Sequence, residues 1–172
     1  MNIKNFLKIN LIIFILFFVL YYITTGISSS SYGSYFFLPH AVRVIAAVIY
    51  GPVAFLGLFL SHLAVGEFFS DREININLLL SLVGSSMGYI AFYVLVLFKL
   101  INQNLHNTKF EHVLFIILLS SILNSVCNSL VFESISDLSN FKFITTYLVG
   151  DFLGGSVGFY LFLKISNKIE KK

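Results

Sequence analysis

An all-α, polytopic transmembrane bundle is the fold this sequence predicts, and three observations carry the prediction. Apolar residues make up 58% of the chain and charged ones only 11%, too few to clothe a soluble domain. The charges that exist cluster between long apolar runs. Most of those runs are about as long as a helix must be to cross a hydrocarbon core of roughly 30 Å. With 172 residues the chain is read as one integral membrane domain, 1–172, without room for a soluble catalytic domain.

Six segments are expected. The first, about 6–27, follows Lys4 and Lys8. Its end, Thr24-Thr25-Gly26-Ile27, is a poor match to the small-residue cleavage site of a signal peptide, so it is read as a retained helix. A Ser/Gly-rich loop over 27–35 leads into the second segment, 36–50. Fifteen residues make about 22 Å of helix, short of a full crossing. Pro39 suits a helical first turn, where its missing N–H is not needed. Gly51-Pro52 breaks the run, and Pro52 opens the third segment, 52–69. These two predict a broken helical hairpin, crossing fully or dipping in and returning. The fourth segment, 76–100, carries Ser81, Gly84, Ser85 and Gly88 in its first half. The fifth, 112–132, carries Ser121, Asn124, Ser125, Asn128 and Ser129 in its second. The sixth, 141–165, contains Gly150, Asp151, Gly154 and Gly158.

Charge sets the expected orientation. Lys4, Lys8, Lys99, Lys109, Lys164, Lys168, Lys171 and Lys172 fall on one side of a six-segment arrangement, and only Arg72 and Lys142 fall on the other. The positive-inside rule then predicts a cell inner membrane protein with both termini cytoplasmic. Basic residues confined to span ends are topology anchors, so nucleic acid is excluded as a partner. The lone Cys127 rules out an internal disulfide, no Cys/His spacing matches a zinc site, and no cofactor is expected.

The expected site follows from depth. In that orientation His40 and Arg43 lie in the outer half of segment two, and His62 and Glu67 in the outer half of segment three. Asp151 lies near mid-depth in segment six. Asn124 and Asn128 share one face of segment five, also in its outer half. Ionisable side chains inside a membrane segment are costly and face a partner or a cavity. The set Arg43, Asp151, His40, His62, Glu67, Asn124 and Asn128 is therefore read as an outward-facing polar pocket or a buried ion pair, with Arg43 seeking Asp151 or Glu67. The default for Asn124 and Asn128 is interhelical hydrogen bonding. Gly150, Gly154 and Gly158, and likewise Gly84 and Gly88, read as small-residue grooves for helix packing. Catalysis is not expected: Ser61 and His62 are adjacent and point to different faces, and no H-E-x-x-H occurs.

Phe37-Leu38-Pro39-His40-Ala41, then Gly51-Pro52 and the run to Glu67, with Gly150-Asp151-Phe152-Leu153-Gly154 late in the chain, resemble the bacterial membrane-associated sensor domains of the first-described MASE type. The resemblance covers about residues 33–165. It implies a sensory, ligand-binding role without catalysis, coupled to a signalling output on a separate protein. The size, the topology and the turn Ile49-Tyr50-Gly51-Pro52-Val53-Ala54-Phe55 are also similar to the substrate-binding component of energy-coupling-factor vitamin transporters. That alternative implies a transporter subunit as partner, although bulky Leu11–Tyr22 lacks the small-residue docking face such components use. A purely structural membrane subunit is a third reading. The partners expected are membrane lipids, a small-molecule ligand and one separate signalling or transporter subunit.

Overall fold

The computed structural model describes residues 1–27, 34–103, 109–133 and 140–170, so Lys171 and Lys172 lie outside the described residues. Among these the regular structure is helical throughout: α1 (Ile3–Ile27), α2 (Pro39–Tyr50), a 3-10 turn (Gly51–Ala54), α3 (Phe55–Phe69), α4 (Ile74–Leu97), α5 (Phe110–Glu133) and α6 (Asn140–Glu170).

Five units among the described residues are long and apolar enough to cross a membrane, against the six expected: Ile3–Thr25, Pro39–Phe69, Ile74–Leu97, Phe110–Phe132 and Phe141–Lys168. The expected second and third segments count only as one 31-residue unit. Their arms have 12 and 15 residues, about 18 and 22 Å of helix, and neither reaches roughly 30 Å alone. The reversal between them is present. Arg43 and His62 stand 19 positions apart yet touch at 2.8 Å, where a continuous helix would separate them by about 28 Å.

Neighbour contacts fix the direction of every helix. Asn10 of α1 meets Val53 and Gly57, and Tyr21 meets Phe69, so α1 and α3 run together. α4 opposes α3, with His62 against Gly84 and Phe55 against Tyr89. α6 opposes α5, with Phe132 against Phe143 and Phe110 against Phe159. α2 lies along α6, with Phe37 against Gly154 and Ala41 against Gly158. The hairpin tip therefore shares one end of the bundle with Lys4, Lys8, Lys99 and Lys168. The α3–α4 connection with Arg72 occupies the other, here termed the loop end.

Short α2 is the axis of the bundle, in contact with α1, α4, α5 and α6. Val44 joins an apolar cluster with Phe92, Leu95, Ile116 and Phe159, while Ala46 and Ala47 join a second with Phe17, Leu58 and Tyr89. Outward faces are apolar too: Leu11, Ile15, Leu82, Phe115, Leu153 and Tyr160 are all exposed, as a lipid-covered surface requires.

The approach to α2 is unusual. Ser34 to Leu38 precedes the helix and packs one side against α6, with Tyr35 exposed and its neighbours half-buried. The Phe37 N–H donates to the Gly150 carbonyl at 2.9 Å. A Cβ at Gly150 would collide with Ser34 backbone, and one at Gly154 with Phe37 backbone. Gly154 is fourteen residues into α6, about 21 Å from its start, so α2 begins near mid-depth. Non-helical backbone is tolerated there only because protein covers it.

Candidate functional site

Pro39 opens α2 at its first turn, which places His40 and Arg43, three residues apart, on one face near mid-depth. Both are buried, at 0% and 2% exposure. Arg43 is the hub. One terminal nitrogen, Nη1, donates to His40 Nδ1 at 2.9 Å, and Nη2 donates to His62 Nε2 at 2.8 Å. Nη1 also lies 3.5 Å from Asp151 Oδ2, and the guanidinium carbon sits 5.9 Å from the centre of the Phe37 ring.

Hydrogen-bond partners determine the tautomers, because a guanidinium only donates. His62 donates from Nδ1 to the Leu58 carbonyl at 3.0 Å, leaving Nε2 as the acceptor Arg43 requires. His40 accepts at Nδ1, so its proton sits on Nε2 and points at Ser121 Oγ, 3.3 Å away. Ser121 passes its own proton to the Ile117 carbonyl at 2.8 Å. With Arg43 as the donor to both, the two imidazoles are neutral acceptors, and Arg43 and Asp151 form the acid–base pair of the centre among the described residues.

Asp151 is held chiefly by α5. Its Oδ2 accepts from Asn124 Nδ2 at 2.6 Å and lies 3.4 Å from His40 Nδ1. Asn128 in turn donates to Asn124 Oδ1 at 2.8 Å. This amide chain orients the carboxylate from behind. The small residues make the assembly fit: a Cβ at Gly84 would stand 2.5 Å from His62 Nε2, and one at Gly155 would stand 2.9 Å from His40 Cδ2.

Of the residues expected to converge, Arg43, Asp151, His40, His62, Asn124 and Asn128 do so, drawn from α2, α3, α5 and α6. Glu67 does not. It stands exposed at the loop end and accepts from Asn77 Nδ2 at 2.6 Å. Five residues past His62, it points some 140° away around the helix.

Sequence reasoning missed Ser121 as a partner of His40, and Phe17, whose ring centre lies 4.2 Å from that of His62. It also missed Asn10, although an amide standing alone between Lys8 and Tyr21 was a visible signal.

The arrangement has an incomplete hydrogen-bond set. Arg43 Nε is buried and has no hydrogen-bond partner among the described residues. A contact of 3.5 Å to Asp151 is also too long to be a strong hydrogen bond. No group of three His, Cys, Asp or Glu side chains is placed to hold a metal ion among the described residues. Compared with known proteins, the chain matches no family model, no curated protein and no solved structure.

Proposed function

We propose that this chain is a non-catalytic, ligand-binding membrane domain of the sensory kind, with the Arg43–Asp151 centre as its binding site. The observation that carries the reading is a fully buried guanidinium left with an unpaired Nε. Burying a charge pair in hydrocarbon is a weak source of stability, and apolar residues of similar volume would do as well or better. An under-bonded pair is worse still, so function is the better account of why it is there. The surplus of lysine at the tip end supports an inner-membrane orientation with both termini cytoplasmic, which opens the loop end to the outside.

A catalytic reading has one thing in its favour. Ser121, His40 and Asp151 stand in the order of a nucleophile, a base and an orienting acid, at 3.3 and 3.4 Å. The tautomer argues against it. A general base must turn its lone pair toward the serine and its N–H toward the carboxylate. Here Arg43 takes the Nδ1 lone pair, so the proton sits on the wrong nitrogen, and the serine proton is already committed to Ile117.

The test is exchange-protection mass spectrometry on the purified protein in lipid nanodiscs, against a library of small metabolites. A ligand of this site protects the 34–43 and 148–158 peptides and loses that effect in Arg43→Ala. Protection confined to other peptides, or unchanged in the variant, would dismiss the site. A transporter component would in addition co-purify with a coupling subunit. A sensory domain would instead alter the activity of a signalling enzyme.

A further inference from the structure

We infer that the ligand is a small organic carboxylate with an apolar body, and that Asp151 occupies the place its carboxylate would take. This rests on the binding-site reading above and specifies its chemistry. Two features point the same way.

Asp151 is a loose partner for Arg43. Arg and carboxylate groups prefer a two-point fork at about 2.7–2.9 Å. Asp151 instead offers one oxygen at 3.5 Å, and its short bond is to Asn124. The amide chain from Asn128 keeps the carboxylate beside the guanidinium without letting it close the fork. The buried Nε edge makes no hydrogen bond among the described residues, an unmet donor that a ligand carboxylate in the place of Asp151 would engage.

The wall beside that edge is aromatic. Phe37 lies under the guanidinium. Phe17 and Tyr21 pack edge-on against Phe37 at 6.2 and 5.9 Å, and Tyr21 continues to Phe69 at 5.4 Å. A head group on Arg43 would therefore lay its body along rings.

The test uses probes of one shape and different charge: benzoate, benzyl alcohol and benzylammonium, with inorganic phosphate as an anion lacking an apolar body. Each is titrated into the full chain in nanodiscs, with binding read as protection of the 34–43 and 148–158 peptides. Benzoate should bind best. Arg43→Ala should weaken it about ten- to a hundredfold, the worth of one or two charge-assisted hydrogen bonds. Asp151→Asn should tighten it, because the competing charge is gone while the hydrogen-bonding shape remains. If Arg43→Ala does not fold, the double change Arg43→Ala with Asp151→Asn removes both charges together and must also abolish the benzoate effect.

Preference for the alcohol or the amine at these peptides would overturn the carboxylate assignment and leave the binding-site reading standing. A phosphate response equal to that of benzoate would remove the apolar body from the proposal. Weaker benzoate binding in Asp151→Asn would overturn the stand-in role. Silence with all four probes would overturn the carboxylate inference, while the binding-site reading stands or falls separately with the metabolite library.

Discussion

The two ends of α2 bury polar groups in opposite ways. At its C-terminal end the chain turns through Gly51, whose φ of 56° suits a residue without a Cβ, and neighbouring helices satisfy the exposed backbone. Asn10 accepts from the Gly57 N–H at 2.6 Å and donates to the Val53 carbonyl at 2.9 Å. The Tyr89 hydroxyl donates to the Gly51 carbonyl at 2.6 Å. The bonds are short, and the side chains that supply them are uncharged. At the N-terminal end the bonds involve a full charge, two imidazoles and a carboxylate, and one buried N–H remains over. Short bonds from neutral groups are how a membrane protein holds a turn. Incomplete satisfaction with charged groups is a poor way to hold anything, and that contrast separates scaffold from candidate site.

The contrast can be broken at either end. The largest effect is expected from Arg43→Ala, which strands the Asp151 carboxylate and should cost about 3–5 kcal/mol of stability. Adding Asp151→Asn should return part of that loss, with a coupling of about 1–3 kcal/mol between the two sites. Unfolding in detergent micelles measures it, and strictly additive losses would mean the pair is no pair. Asn10→Ala leaves one donor and one acceptor at the tip without partners and should cost about 2–3 kcal/mol. Its effect on benzoate binding should be nil, so a matching loss of binding would erase the division between the ends.

Gly84→Ala sharpens the comparison from within. The added methyl would press on His62 Nε2, an overpacking worth about 1–3 kcal/mol. Combining it with His62→Ala should give less than the sum of the two, since the small side chain vacates the space. Tyr89→Phe is the mildest change, about 1 kcal/mol for one lost hydrogen bond. It should alter melting without altering exchange in the 34–43 peptide.

How much of this was legible in the sequence divides along a geometric line. Depth can be counted: at about 1.5 Å per residue, the positions of His62, Asn124 and Asp151 along their helices follow from where each apolar run begins, but those of His40 and Arg43, expected in the outer half, do not, because α2 begins near mid-depth. Composition identified the membrane class, and Gly51-Pro52 marked the reversal. Azimuth cannot be counted in the same way. Glu67 lies toward the same end as His62 but on another face, and the apolar sequence of α3 is too uniform to mark which face looks inward. The sixth crossing failed for a related reason. Counting runs from Phe36 placed the start of α2 at the surface, whereas Ser34 to Leu38 descends unwound along a glycine stripe that reads, in sequence, as ordinary helix packing. The tautomers were out of reach, because they depend on Leu58 and Ile117 carbonyls that no residue pattern announces.

The distance along the chain between Arg43 and its counterion has a consequence for biogenesis. The carboxylate emerges roughly a hundred residues after the guanidinium, which at about 5–20 residues per second is some 5–20 s of translation. His40, one turn back on α2, and His62, on the returning arm of the same hairpin, are the acceptors synthesised early enough to shelter the cation. Arg43 should therefore be solvated by imidazoles first and neutralised by a carboxylate only when α6 docks, so a ribosome-stalled chain lacking that helix would carry an unneutralised charge at its heart.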